Sequence, residues 1–260
     1  MNIIDSHTHL FLEEFADDLP EVITRAKAAG VTHLFMPNID SSTVGPLLQT
    51  CAGYPGYCFP MIGLHPTSVN ETYQDELAKI FQALKSESDF VAVGEIGMDL
   101  YWDQTFLKEQ QEVLCRQLEW ALEYHLPVVL HCREAFKYVY DTLRPYAGTS
   151  LRGIFHSFTG TCEEAEQILS LPNFWIGVNG VVTFKKSLLP EVLSTVVPLD
   201  RMVLETDSPY LAPVPHRGKR NESAFVKDTL MKVAEIYGLM PEAVAKVTSE
   251  NALKVFGMLK

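Results

Sequence analysis

Short runs of β-branched and aromatic residues recur along the chain, and stretches with apolar residues at helical spacing lie between them. The runs fall at 3–5, 31–37, 58–63, 91–95, 128–131, 153–156, 174–178 and 202–205 and predict eight strands. The spacing predicts helices over 20–29, 72–85, 105–124, 134–146, 162–171 and 188–196, and two more over 222–237 and 241–256 after the last strand. Gly30 stands where the first helix would stop. The strand runs are apolar throughout, as expected of a parallel sheet covered on both faces. Eight strand–helix units in 260 residues predict an α/β fold, a TIM (β/α)8 barrel, with residues 1–260 forming a single domain. A doubly wound open sheet is the competing arrangement, but it supplies no reason for the count of eight.

Ionisable residues break this pattern at one end of the strands. His7, His9, His65, Glu95, His131, His156 and Asp207 all stand at strand exits or just beyond, the end at which barrel enzymes build their sites. His7 and His9 are alternate residues, so both imidazoles can face one side, about 6–7 Å apart at Cα. That suits two nitrogens on one cation, although an H-x-H can also be a polar strand end. Glu95 lies between Gly94 and Gly97, which allow close backbone approach. A carboxylate at a barrel centre is costly unless paired, so Glu95 either bridges two cations through its two oxygens or meets an arginine. His131 or His156 alone would be read as a core histidine; on consecutive strands they share one rim. The eighth strand adjoins the first in a closed barrel, so Asp207 can reach a cation held by His7 and His9. Glu205, two residues back, would accept from a histidine and orient it. Four histidines and two carboxylates can hold two divalent ions with one shared bridge, and mixed N/O donors suit Zn, Mn or Mg.

Net charge sharpens this picture. Twenty-one basic against 33 acidic residues give −12, so the chain does not coat nucleic acid through a basic surface. Any nucleic-acid substrate must be held by cations at the site: bound metals, His65, Arg133, and the basic loop with His216, Arg217, Lys219 and Arg220. Tyr101, Trp102, Phe158 and Tyr210 follow strand ends and either stack on a base or pack. Five scattered cysteines without C-x-x-C argue against a disulfide framework and for a reducing cytoplasm. No apolar run reaches the ~20 residues that span a bilayer, and the N-terminus does not read as a signal peptide.

Seven ordered motifs, spread over essentially the whole chain, resemble the TatD family of metal-dependent hydrolases: Asp5-Ser-His-Thr-His-Leu10, Gly63-Leu-His-Pro66, Val93-Gly-Glu-Ile-Gly-Met-Asp99, Leu130-His-Cys-Arg133, Phe155-His-Ser-Phe-Thr-Gly160, Leu204-Glu-Thr-Asp-Ser-Pro-Tyr-Leu211 and His216-Arg-Gly-Lys219. The resemblance implies a TIM barrel with metal ligands His7, His9, Glu95, His131, His156 and Asp207, Glu95 bridging. It also implies phosphodiester hydrolysis of the 3′–5′ exonuclease or DNA-repair type. Ile96 and Met98 stand where the family commonly has Thr and Leu, and Cys132 and Glu134 where it has Thr and Asp; none of these removes a ligand. The expected reaction is attack of a metal-activated water on a DNA phosphodiester, with Asp207 and Glu95 as catalytic residues. His65, Arg133, His216, Arg217 and Lys219 are expected to hold phosphate. The alternative is an amide or ester hydrolase, such as a lactonase or aminoacyl-ester deacylase, which the same site would serve. A non-catalytic binding module has no need of a full hydrolytic ligand set.

Overall fold

The structure is a computed structural model that describes residues 1–86 and 89–259. Its strands are β1 (Ile3–Asp5), β2 (Val31–Pro37), β3 (Cys58–Met61), β4 (Val93–Asp99), β5 (Val128–Arg133), β6 (Gly153–Phe155), β7 (Phe174–Val178) and β8 (Met202–Leu204). Each pairs in parallel with the next within the ladders β1-β2-β3 and β4-β5-β6-β7-β8. Parallel bridges Ile62↔Val93 and Thr8↔Ser208 join the two ladders at both seams. The helices are α1 (Leu19–Ala28), α2 (Val44–Gly53), α3 (Tyr73–Ser86), α4 (Leu107–Glu123), α5 (Phe136–Leu143), α6 (Cys162–Leu169), α7 (Leu189–Thr195), α8 (Val226–Tyr237) and α9 (Pro241–Val255). This is the (β/α)8 barrel that the pattern predicts.

Alternation explains the core. Ile4, Phe35, Met61, Ala92, Val129, Ile154, Trp175 and Val203, from the eight strands or (Ala92) the residue just before one, form one buried cluster. Side chains on opposite faces of a strand point to opposite sides, so one set fills the barrel and the other meets the helices, where the larger cluster lies. The chain end after α9 caps the inner set: Phe256 stacks on Phe35 with ring centroids 3.7 Å apart. With the interior packed at this end, the opposite mouth is left for chemistry.

Two expectations are corrected. The strand expected to end at Glu95 runs on to Asp99, because Ile96 to Asp99 pair with Leu130 to Arg133 after a register shift between Val93 and Ile96. The pattern also passed over α2, whose sequence VGPLLQTCAG carries a proline and two glycines. Pro46 is tolerated because it lies in the first turn, and Leu47 and Cys51 supply the buried face. β1, β2 and β7 have the expected bounds, and the remaining ends shift by at most four residues, as element ends do. Among the described residues, no helix is long and apolar enough to cross a membrane.

Candidate active site

Glu95 lies at the centre of the open mouth, and its two oxygens face different histidines. Oε2 is 3.1 Å from His7 Nε2 and 3.6 Å from His9 Nε2. Oε1 is 2.8 Å from His131 Nδ1, 3.2 Å from His65 Nε2 and 3.4 Å from His156 Nε2. Asp207 Oδ1 closes the first set at 3.7 Å from both His7 and His9. The seam between β8 and β1 positions it: the Asp207 amide donates to the His7 carbonyl and the His9 amide to that of Ser208, at 2.9 and 2.8 Å. Asp207 and Ser157 both adopt left-handed backbone, with φ of 57° and 49°. Such conformations are strained outside glycine and cluster at functional sites. Here they turn the chain sharply at the strand exits.

Burial and charge set the protonation of this group. Burial opposes the charge on Glu95, but His65, His7 and His156, with a hydrogen bond from His131, hold its carboxyl well below the usual carboxylate range. Burial pushes His7 well below the ordinary imidazole value, and His9 down to about 4. Both therefore offer lone pairs at neutral pH. His156 is also buried, yet Glu205, Glu95 and Asp207 push it up to about 10. Burial raises Asp207 to about 7, with Glu95 and Glu205 reinforcing the shift against His156.

The donor geometry fits divalent cations. His7 Nε2 and His9 Nε2 face each other at 3.2 Å, and His65 Nε2 and His131 Nδ1 at 3.3 Å. Two nitrogens on a tetrahedral ion with bonds of ~2.0–2.1 Å are about 3.3 Å apart. One ring can donate to the other at this separation, and two unprotonated nitrogens at the same spacing can share a cation. The groups His7–His9–Glu95 and His65–Glu95–His131 each converge closely enough to hold an ion.

Buried acceptors hold these rings. Glu205 Oε1 accepts from the Ser157 amide at 2.6 Å and lies 3.0 Å from His156 Nδ1. Gly177 makes room for it, since a Cβ there would come within 2.6 Å of Glu205 Oε2. Asp99, given no separate role in the sequence reading, is buried with Oδ2 2.8 Å from His131 Nε2. Its signal was the unforeseen extension of β4, which carries Asp99 to the same rim as Glu95. Asp5, two residues before His7, accepts from the Thr206 amide and hydroxyl at 2.9 and 2.7 Å. We expect Glu205→Gln to weaken divalent-cation affinity about 10- to 100-fold by releasing His156; titration calorimetry showing wild-type affinity would remove that role.

His65 stands within the cluster, its Nε2 3.2 Å from Glu95 Oε1. Arg133 lines a cleft of about 650 Å³ over the cluster, together with His9, Glu95, His131, His156 and Asp207. His216, Arg217 and Lys219 are not part of its wall. His216 stacks on Phe225 at 3.6 Å and pairs with Asp228, and the Arg217 guanidinium lies 3.8 Å over Phe184. Lys219 is exposed, and neighbouring Arg220 is drawn to Asp18 at 2.7 Å. Local aromatic and acidic partners thus take up most of this loop's basic groups.

The family described as "TatD related DNase" matches residues 4–257. An uncharacterized metal-dependent hydrolase, YabD of Bacillus subtilis, is 35% identical, with 98% of each chain covered. A protein of Erwinia billingiae named 3′-5′ ssDNA/RNA exonuclease TatD is 33% identical over 98% of each chain. Among solved structures, the TatD homologue YJJV from Escherichia coli superposes with a TM-score of 0.91 at 28% identity, covering 98% of each chain. An uncharacterized amidohydrolase from Saccharomyces cerevisiae shares the fold, with a TM-score of 0.83 at 17% identity and 98% and 99% of the two chains covered.

Proposed function

The chain belongs to the TatD family of metal-dependent hydrolases, and from that premise we propose that it is a two-metal deoxyribonuclease of the 3′–5′ exonuclease or DNA-repair type. It would work as one barrel domain over residues 1–260, in the cytoplasm, where its five free cysteines stay reduced. The observation that carries the reading is the division of Glu95 between two histidine sets: Oε2 towards His7 and His9, Oε1 towards His65, His131 and His156.

In this reading His7, His9 and Asp207 would hold one ion and His131 and His156 the other, with Glu95 shared between them. When bound, Zn, Mn or Mg there would supply Lewis acidity to the scissile phosphate and lower the pKa of the attacking water. Asp207, facing His7 and His9 at the same side of Glu95, would orient the attacking water and take its proton. Glu205 keeps the His156 ring turned towards Glu95, and Asp99 does the same for His131. His65 and Arg133 meet phosphate oxygens, the latter by in-plane N–H donors suited to that geometry. Arg217 and Lys219, with His216 beside them, serve phosphates farther along a longer strand.

The test is a substrate screen of metal-reconstituted protein on single- and double-stranded DNA, RNA, lactones and aminoacyl esters. Cleavage of DNA with loss of 3′-terminal nucleotides is expected. Rapid hydrolysis of the carboxylic esters with DNA left intact would overturn the assignment.

A further inference from the structure

β8 ends at Leu204, where its pairing with β7 also ends. The backbone beyond it, which carries Asp207, must therefore find hydrogen-bond partners outside that ladder. Part of the demand is met by β1 and the residues after it. The Thr206 amide and hydroxyl donate to Asp5, the Asp207 amide donates to the His7 carbonyl, and the Ser208 and Thr8 hydroxyls lie 2.6 Å apart. Three carbonyls of the same segment turn instead to one residue, Asn221. Its Nδ2 donates to the Thr206 and Tyr210 carbonyls at 2.9 and 2.6 Å, and its backbone amide donates to that of Pro209 at 3.0 Å. Its Oδ1 accepts from the Glu222 amide at 2.9 Å. The nitrogen faces two acceptors and the oxygen a donor, so the carboxamide can sit only this way round. Asn221 is fully buried.

Asn221 thus brackets Asp207, gripping the carbonyl of the residue before it and those of the second and third residues after it. Asp207 has φ of 57°, and a non-glycine residue keeps such a conformation only where its surroundings impose it. The bracket is itself fastened. Arg220 on one side of it reaches Asp18, the N-cap residue of α1, at 2.7 Å, and Glu222 on the other meets Arg25 of α1 at 2.7 Å. A second buried asparagine makes the same pair of bonds at the other end of the strand. Asn251 Nδ2 donates to the Leu199 and Met202 carbonyls at 2.9 and 2.7 Å, at the entry to β8 and away from the mouth.

We propose that Asn221 is a positioning residue that acts through Asp207: its carboxamide sets the left-handed turn that directs the Asp207 carboxylate towards His7 and His9. The proposal rests on the two-ion reading of the site and assigns this residue to one of the two ions. Without the carboxamide the Thr206 carbonyl is left buried and unpaired, the turn relaxes, and Asp207 is lost as a ligand although it is still in the chain. His131 and His156 stand on β5 and just after β6 and are backed by Asp99 and Glu205, so their ion does not depend on Asn221.

Titration of metal-free protein with Mn²⁺, followed by calorimetry and by the electron paramagnetic resonance of the bound ion, reads affinity without turnover. Asn221→Ala should weaken one ion roughly 10- to 100-fold and leave the other within about threefold of wild type. Asn251→Ala removes the same kind of bonds at the far end of β8; it should lower the urea midpoint comparably and leave both ions within about threefold. Adding Asn221→Ala to Asp207→Ala should cost less than about a further twofold, because the ligand it positions is already gone. Asn221→Ser retains a hydroxyl for one of the two carbonyls; if the alanine variant does not fold, it carries the same comparison, with a loss of about threefold or more. Wild-type affinities in the Asn221 variants, equal losses for both ions, a loss of the same size in Asn251→Ala, or full additivity with Asp207→Ala overturns the assignment. Wild-type protein that takes up a single ion removes the two-ion reading by itself, and the same cycle on that ion then decides the role of Asn221.

Discussion

Glu95→Gln is expected to lower turnover of a phosphodiester substrate by roughly 10²–10³-fold or more and to abolish tight binding of two cations. The reason is geometric. Glu95 alone presents one oxygen to His7 and His9 and the other to His65, His131 and His156. Glutamine keeps the size but has one acceptor oxygen, and its NH₂ group would face ring nitrogens or a cation on the other side. It also removes the charge that offsets two cations in a buried site. Metal content by elemental analysis, with steady-state rates, reads both effects, and circular dichroism checks the fold. Glu95→Asp is the companion variant: it keeps the charge but draws the carboxylate back, so it should hold one ion better than two. Two ions bound and a wild-type rate in either variant would sink the bridging role.

The second large effect concerns the frame beneath the cluster. Gly97 has φ of 140° and pairs with His131 across β4 and β5. A Cβ there would lie 1.9 Å from the His131 carbonyl oxygen and 2.9 Å from its carbonyl carbon. Those atoms are strand backbone and cannot move aside as a flexible side chain can. Gly97→Ala is expected to cost roughly 3–5 kcal/mol, a large part of a total stability of about 5–15 kcal/mol. Gly148→Ala is the control, since a Cβ there meets nothing within 4 Å. Urea denaturation compares the two. A Gly97→Ala midpoint equal to that of wild type would contradict the close-approach argument. Any fraction that folds must displace His131, so its cation affinity should fall as well.

These variants also mark how far sequence reasoning reached. Eight apolar runs gave the architecture, because a parallel strand buried on both faces has a local signature. The strand-exit residues pointed to the right mouth, because position along an element is local too. The limits arose wherever neighbours compete. In α2, packing of Leu47 and Cys51 outweighs poor helix formers. In β4, pairing with β5 carries the strand past two glycines to Asp99.

Within the site, the residue types and spacing of His7, His9, Glu95, His131, His156 and Asp207 determined by themselves that a cluster of metal-ligating type would form at one end of a barrel. Only the tertiary structure decided which oxygen of Glu95 faces which ring, that His65 joins the cluster and that Asp99 backs His131. It also decided that the basic loop turns towards Phe225, Asp228 and Phe184, and that Arg133 lies against Tyr101. A side chain's type and its place on a strand are properties of the local chain. Its partner is settled by competition among groups that folding brings together from distant positions, where burial makes each unpaired polar atom costly.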